Sequence, residues 1–213
     1  MDFVPSLPVL GAFVLASAAL ALTPGPDMTL FLSRTIAQSR RAGLASMAGA
    51  TTGVLVHTVL VVVGLSALIA ASATAFFVLK VVGAIYLLWL AVEAIRKGSG
   101  FTLQVGQRAD TPIGRVYAKG VMVNLLNPKV IVFFVTFLPQ FVTPSDPHAA
   151  GKLLFLGVLF AMVALVVTVP ILLAADRVAL TLRRSPRVTR VIDWVFASVM
   201  GAFAVKLALA EAK

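Results

Sequence analysis

The sequence predicts an all-α polytopic membrane protein of six transmembrane helices, and three observations carry that reading. The 213 residues are 60% hydrophobic and 12% charged, against about 45–50% and about 25% for an ordinary soluble domain. Six apolar runs divide the chain, each long enough at about 20 residues to cross about 30 Å of hydrocarbon. The basic residues gather in every second connection, the pattern that orients spans in a bilayer.

The runs cover residues 8–37, 43–71, 74–95, 116–142, 150–175 and 190–210. Each is expected to be helical, because a backbone polar group left unpaired in lipid is too costly and a helix pairs them all within one segment. The first run follows Met1-Asp2 with no basic segment ahead of it, so it reads as a span rather than a cleaved signal. Thr23-Pro24-Gly25-Pro26 interrupts this run, and Asn127-Pro128 interrupts the fourth. Proline removes a backbone donor and clashes with the preceding turn. Both spans must therefore break, and the breaks must face protein or a cavity.

Segment 34–41 contains Arg34, Arg40 and Arg41. Segment 96–119 contains Arg96, Lys97, Arg108, Arg115 and Lys119, and segment 177–190 contains Arg177, Arg183, Arg184, Arg187 and Arg190. Together they hold thirteen of the eighteen Lys and Arg. The other side offers Lys152 and Lys213, with Lys206 if it snorkels. The positive-inside rule then puts the three basic segments in the cytoplasm and both termini outside, as expected for an inner-membrane protein. The net charge of +10 becomes an orientation signal, so membrane lipids are expected as partners and nucleic acid is not. Zero Cys and only two His, His57 and His148, exclude disulfides and thiolate chemistry, and neither a metal site nor a cofactor is expected.

The chain reads as a single transmembrane domain, 1–213, with halves of roughly 1–100 and 101–213. Three spans per half give the halves opposite orientation, an inverted repeat, with the first helix of each half broken by proline. Paired broken helices of that kind point to a transporter's binding site near the midplane.

Pro26 suits the first position of a resuming half-helix, leaving Asp27 in its first turn at the positive end of the dipole. Asp27 could simply cap that helix. An ionised carboxylate inside a membrane costs about 2.5–3.5 kcal/mol, however, and usually marks a function. In the second half Asn124, Asn127, Pro128 and Lys129 fall near mid-span. If Pro26 and Pro128 are equivalent, Asp27 and Lys129 occupy matching positions, and a zwitterion suits such a pair. The expectation is that Asp27, with Pro24, Gly25 and Pro26 shaping the break, receives an ammonium group or a proton, while Lys129 with Asn124 and Asn127 receives a carboxylate. The alternative is that Asp27 and Lys129 neutralise each other structurally.

Gly49, Gly53 and His57 form one stripe of the second span. The glycines read as a close-packing motif, and His57 as either a proton relay or an interhelical hydrogen-bonder. Lys80 shares a face with Gly83, Ala84, Leu87 and Ala91, so it either faces protein as a proton-coupling candidate or snorkels outward. Tyr86 and Trp89 read as belt aromatics. Asp176 and Asp193, beside Arg177 and Arg190, read as interfacial pairs. No Gly-x-Ser-x-Gly, His-Glu-x-x-His or Walker sequence is present, so neither hydrolysis nor ATP-driven pumping by this chain is expected. Glycine-rich faces leave packing within the chain and packing in a homo-oligomer both open.

Several stretches in order resemble one family. They are Thr-Pro-Gly-Pro-Asp at 23–27, Arg-Arg-Ala-Gly-Leu at 40–44, Gly49-xxx-Gly53-xxx-His57, Lys80-Val-Val-Gly-Ala-Ile-Tyr-Leu at 80–87, Asn-Leu-Leu-Asn-Pro-Lys at 124–129 and Phe-Leu-Pro-Gln-Phe at 137–141. The pattern resembles the lysine-exporter and homoserine/threonine-exporter family (LysE/RhtB), with Ser39 standing where that family commonly has glycine. The resemblance implies secondary export of amino acids or close derivatives, driven by proton motive force. Competing readings are an exporter or channel for ions or other small solutes, an intramembrane enzyme using Asp27 and His57, and a scaffold. Soft-metal export is disfavoured by the absence of Cys, and a scaffold leaves two broken helices unexplained.

Overall fold

A computed structural model describes residues 4–97, 111–143 and 145–211, and every element among them is helical. Helix α1 (Leu7–Leu22) and α2 (Pro26–Ala37) form the first broken span, bent by 53°. Helices α3 (Arg40–Ala71) and α4 (Ala73–Lys97) cross without interruption. The second broken span is α5 (Ile113–Leu125) with α6 (Pro128–Phe137), bent by 51° and prolonged by a 3-10 turn at Leu138–Phe141. Helices α7 (Ala149–Leu173), α8 (Ala175–Arg184) and α9 (Pro186–Glu211) complete the chain. Four helices are long and apolar enough to cross alone, and the two bent pairs bring the spans to six, as the sequence predicts.

Both breaks occur where proline dictates. Pro26 and Pro128 each open the resuming helix, where the missing N–H costs nothing because first-turn donors have no partner within the helix. Ser39 caps α3 by accepting a hydrogen bond from the Ala42 N–H at 3.1 Å. The connection 177–190, expected only as a basic link, contains α8. Its Ala175 and Ala179 are buried against Met28, Phe31 and Leu32, while Asp176 and Arg177 are exposed.

Helix α3 packs along α5, α7 and α2, and α4 along α9. The contact of α1 with α7 corresponds to that of α5 with α3 when the halves are exchanged, as an inverted repeat requires. The α3–α5 approach is set by small residues. A Cβ on Gly49 would stand 2.2 Å from the Tyr117 carbonyl, and one on Gly120 2.2 Å from that of Ser46. The close-packing stripe expected at Gly49 and Gly53 thus has α5 as its partner.

Phenylalanines dominate the interior: Phe13, Phe133, Phe137 and Phe160 are buried and in mutual ring contact, with centroids 4.5–5.8 Å apart. The outer surface is also apolar. Val63, Ile85, Val166 and Val205 are more than half exposed, which is costly in water and suited to lipid. Of the expected orientation signals, Arg108 and Lys213 lie outside the described residues, as do the side chains of Lys97, Arg183, Arg184 and Lys206.

Candidate functional site

The site lies where the two broken spans meet. Helix α1 ends at Leu22, and the Thr23 hydroxyl donates back to the Ala19 carbonyl at 2.7 Å. Gly25 is fully extended and provides no side-chain cap to α2, so the first-turn N–H groups of α2 have no partner within their helix. Asp27 is the second residue of that helix. On the other side, Asn127 caps α6, its Oδ1 accepting from the Lys129 N–H at 3.1 Å.

The two breaks interlock through their side chains. Asn124 Nδ2 and Asn127 Nδ2 both donate to Asp27 Oδ2, each at 2.9 Å. Lys129 Nζ crosses to the end of α1 and donates to the Leu20 carbonyl at 2.8 Å and the Thr23 carbonyl at 2.7 Å. Carbonyls at a helix C-terminus carry the negative end of its dipole, roughly half a charge, so an ammonium there is well placed. The same ammonium lies 5.8 Å from the centre of the Phe196 ring, within cation–π range.

A cavity of about 90 Å³ opens beside these groups, room for a few water molecules or one small solute. Gly25, Asp27, Asn124, Asn127 and Lys129 all line it. Asp27 Oδ1 and Asn124 Oδ1 are buried without a hydrogen-bond partner. Buried polar atoms are nearly always paired, so the unpaired Asp27 oxygen beside this cavity calls for a donor, whereas Asn124 Oδ1 is turned to Gly53 of α3, where a Cβ would stand 2.6 Å from it. Asp27 and Lys129 are the charged side chains among the described lining residues, and the remaining wall is largely apolar, with Met28, Phe31, Met47 and Phe160.

The other sequence candidates stand around this centre. Pro26 and Pro128 open the resuming helices, and Pro24 faces an adjoining apolar pocket with Leu22 and Leu182. His57 is buried one layer behind, its Nε2 3.4 Å from the Asn124 carbonyl and its ring 5.9 Å from that of Phe134. Lys80 is half-buried on α4, where its carbonyl accepts from Gln140 Nε2 at 3.2 Å, and it does not line the cavity. The amides expected to join Lys129 around a carboxylate turn instead to Asp27, and Lys129 turns to main-chain carbonyls. Asp27 and Lys129 interact electrostatically, while the hydrogen bonds of the lysine ammonium go to α1.

Sequence reasoning missed the α7 wall, with Phe160, Ala161, Ala164 and Thr168. Their three- and four-residue spacing is the only trace, and it is lost in a helix apolar on every face. Of the two acids read as interfacial, Asp176 is exposed, and Asp193 is 1% exposed and packed among the helices.

The sequence profile of the LysE type translocators matches residues 18–211. A homoserine/homoserine lactone efflux protein of Salmonella typhimurium is 35% identical over 188 residues, covering 88% of this chain and 90% of its own. A membrane protein of Vibrio cholerae, to which no function is assigned, is 30% identical over 94% of this chain and 97% of its own. A leucine efflux protein of Salmonella choleraesuis is 26% identical over 71% and 72%. No solved structure matches. With the profile spanning nearly the whole chain and the first of these relatives alike over nine-tenths of its length, the chain belongs to the LysE family of translocators.

Proposed function

We propose that this multi-pass inner-membrane protein exports small neutral amino acids or their close derivatives from the bacterial cytoplasm in exchange for protons. The observation that carries the reading is the unpaired buried carboxylate oxygen, Asp27 Oδ1, at the cavity where both spans are broken. An α-ammonium group supplies the missing donor and the compensating charge together. A proton on Asp27 supplies one donor and cancels the same charge, so substrate and proton compete for one carboxylate. The open N-terminus of α2 offers main-chain N–H groups and a positive dipole end to the substrate's carboxylate.

The apolar remainder of the wall favours an uncharged side chain, since among the described residues no second carboxylate lines the cavity to meet a basic one. Homoserine and leucine, named for two relatives, have side chains of that kind. The test is efflux of individual amino acids, fed as dipeptides, from cells lacking or overproducing the protein. Homoserine or another small neutral amino acid should leave faster with the intact protein, and a protonophore should abolish the difference. Asp27→Asn should slow efflux on the order of 100-fold, the equivalent of roughly 3 kcal/mol for a buried charged partner. If no amino acid leaves faster while the protein is in the membrane at normal level, ions or other solutes become the cargo.

A further inference from the structure

The break between α1 and α2 is a wall one chain thick. Thr23 and Gly25 are extended, and successive residues of an extended chain point to opposite sides. Thr23 and Gly25 line the cavity that holds Asp27, whereas Leu22 and Pro24 line a second pocket on the far side. That pocket measures about 280 Å³ against about 90 Å³ for the cavity, and is completed by Ile171 of α7, Leu182 of α8 and Ile192 of α9. Its walls are largely apolar, with Arg177 and Thr181 exposed at the rim. Among the described residues Met28 alone lines both spaces. It is 5% exposed and follows Asp27 directly in the first turn of α2. Residues 22–25 part the two spaces with main chain, and Met28 does so with a side chain that is unbranched, turns about three bonds and adapts its shape.

We propose that Met28 sets the size of side chain that this transporter accepts, and that the pocket behind it is a second subsite, which takes the branched or aromatic side chains of larger neutral amino acids when the thioether swings aside. The proposal deepens the export reading above and rests on it. Asp27 holds the substrate ammonium, and its neighbour Met28 limits what extends from the α-carbon. A short side chain such as that of homoserine ends inside the cavity. A longer apolar one has to displace the Met28 thioether, and the apolar walls behind it then keep that chain out of water. A cationic side chain reaching as far would meet the like charge of Arg177 at the rim. One methylene more or less in an apolar pocket changes selectivity by about 10–200-fold, so the position of this partition is enough to separate substrates of homoserine size from those of leucine size.

The test is the ratio of leucine to homoserine efflux, and of phenylalanine to homoserine efflux, from dipeptide-fed cells overproducing each variant at a measured membrane level. Met28→Ala joins the two spaces and should raise both ratios about tenfold or more, with Met28→Val between it and the parent protein. Leu182→Phe lies in the second pocket and away from the cavity, and fills the space that a shorter residue 28 opens. Combined with either Met28 variant it should bring the ratios back to within about threefold of the parent. Flat ratios in a Met28 variant that reaches the membrane overturn the proposal, and Met28→Val, the milder truncation, decides it if Met28→Ala does not accumulate. Ratios that rise but do not fall back with Leu182→Phe also overturn it, because the added room then lies within the cavity itself. A parent protein that exports no neutral amino acid overturns the export reading and this one with it, whereas homoserine export with flat ratios overturns this one alone.

Discussion

The break between α1 and α2 and the break between α5 and α6 bend their spans almost equally, by 53° and 51°, and each resumes at a proline. They are held very differently. Asn127 caps α6 with its own side chain, and α5 is pressed onto α3 through Gly49 and Gly120. Gly25 gives α2 no side-chain cap, and a Cβ on Gly11 of α1 would meet nothing within 4 Å. The polar groups of the first break are also held from outside, its carboxylate by Asn124 and Asn127 and its carbonyls by Lys129. The second break is therefore a capped frame supplying donors, and the first is an uncapped break whose polar partners a ligand can displace.

Overpacking the frame should have the largest effect. Gly120→Ala puts a methyl group 2.2 Å from the Ser46 carbonyl, where main chain rather than a flexible side chain must yield, so α3 and α5 have to separate. The expected cost is about 1–3 kcal/mol, read as a lower thermal unfolding midpoint in detergent. Gly11→Ala enters open space in a helix interior and should be neutral or stabilising by up to about 1 kcal/mol. Equal midpoints for the two variants would mean that the α3–α5 seam is not the close contact that holds the second break.

The two caps should differ next. Asn127→Ala deletes the α6 cap and one of the two donors to Asp27, at a cost of about 1–2 kcal/mol. Gly25→Ala deletes no cap. Gly25 is extended rather than left-handed, and its new Cβ would meet only the Lys129 side chain at an ordinary 3.8 Å, so unfolding should shift by less than about 0.5 kcal/mol. Unfolding curves of both variants decide whether the second break is the structured one.

The contrast between the breaks also separates what the sequence disclosed from what it did not. Proline chemistry and span length made both interruptions legible, along with Asp27, Asn124, Asn127 and Lys129 as their polar residues, because a polar residue in an apolar run is conspicuous. The pairing was not legible. Symmetry between Pro26 and Pro128 suggested that Asp27 and Lys129 receive opposite ends of a zwitterion, whereas the ammonium sits on the carbonyls that the first break itself exposes. A backbone acceptor has no letter in the sequence. The burial of Asp193 was not legible for a related reason: only the rotation of α9 about its axis, set by packing against α4 and α1, decides which face turns inward.

The smallest effect lies in the turns that carry each broken span into the next helix. Ser39, between α2 and α3, caps with a hydroxyl that does not titrate. Between α6 and α7, where the next helix has no side-chain cap, the turn is ordered by Asp146, which accepts from Lys152 Nζ and from the His148 N–H. Those two hydrogen bonds hold its carboxyl below the usual carboxylate range, the lysine contributing most. A group whose pKa is lowered by folding stabilises above its unfolded value, near 3.9, and loses that contribution as pH falls through the lower folded value. At neutral pH Asp146→Asn should cost only about 0.5 kcal/mol, as for most partly exposed ion pairs. The gap from the parent protein should close on acidification below about pH 4, whereas the cost of Ser39→Ala should be the same at both pH values. Unfolding midpoints of the two variants at pH 7 and near pH 3 make the comparison, and a gap for Asp146→Asn that persists in acid would mean the side chain stabilises the turn by its shape and not by its charge.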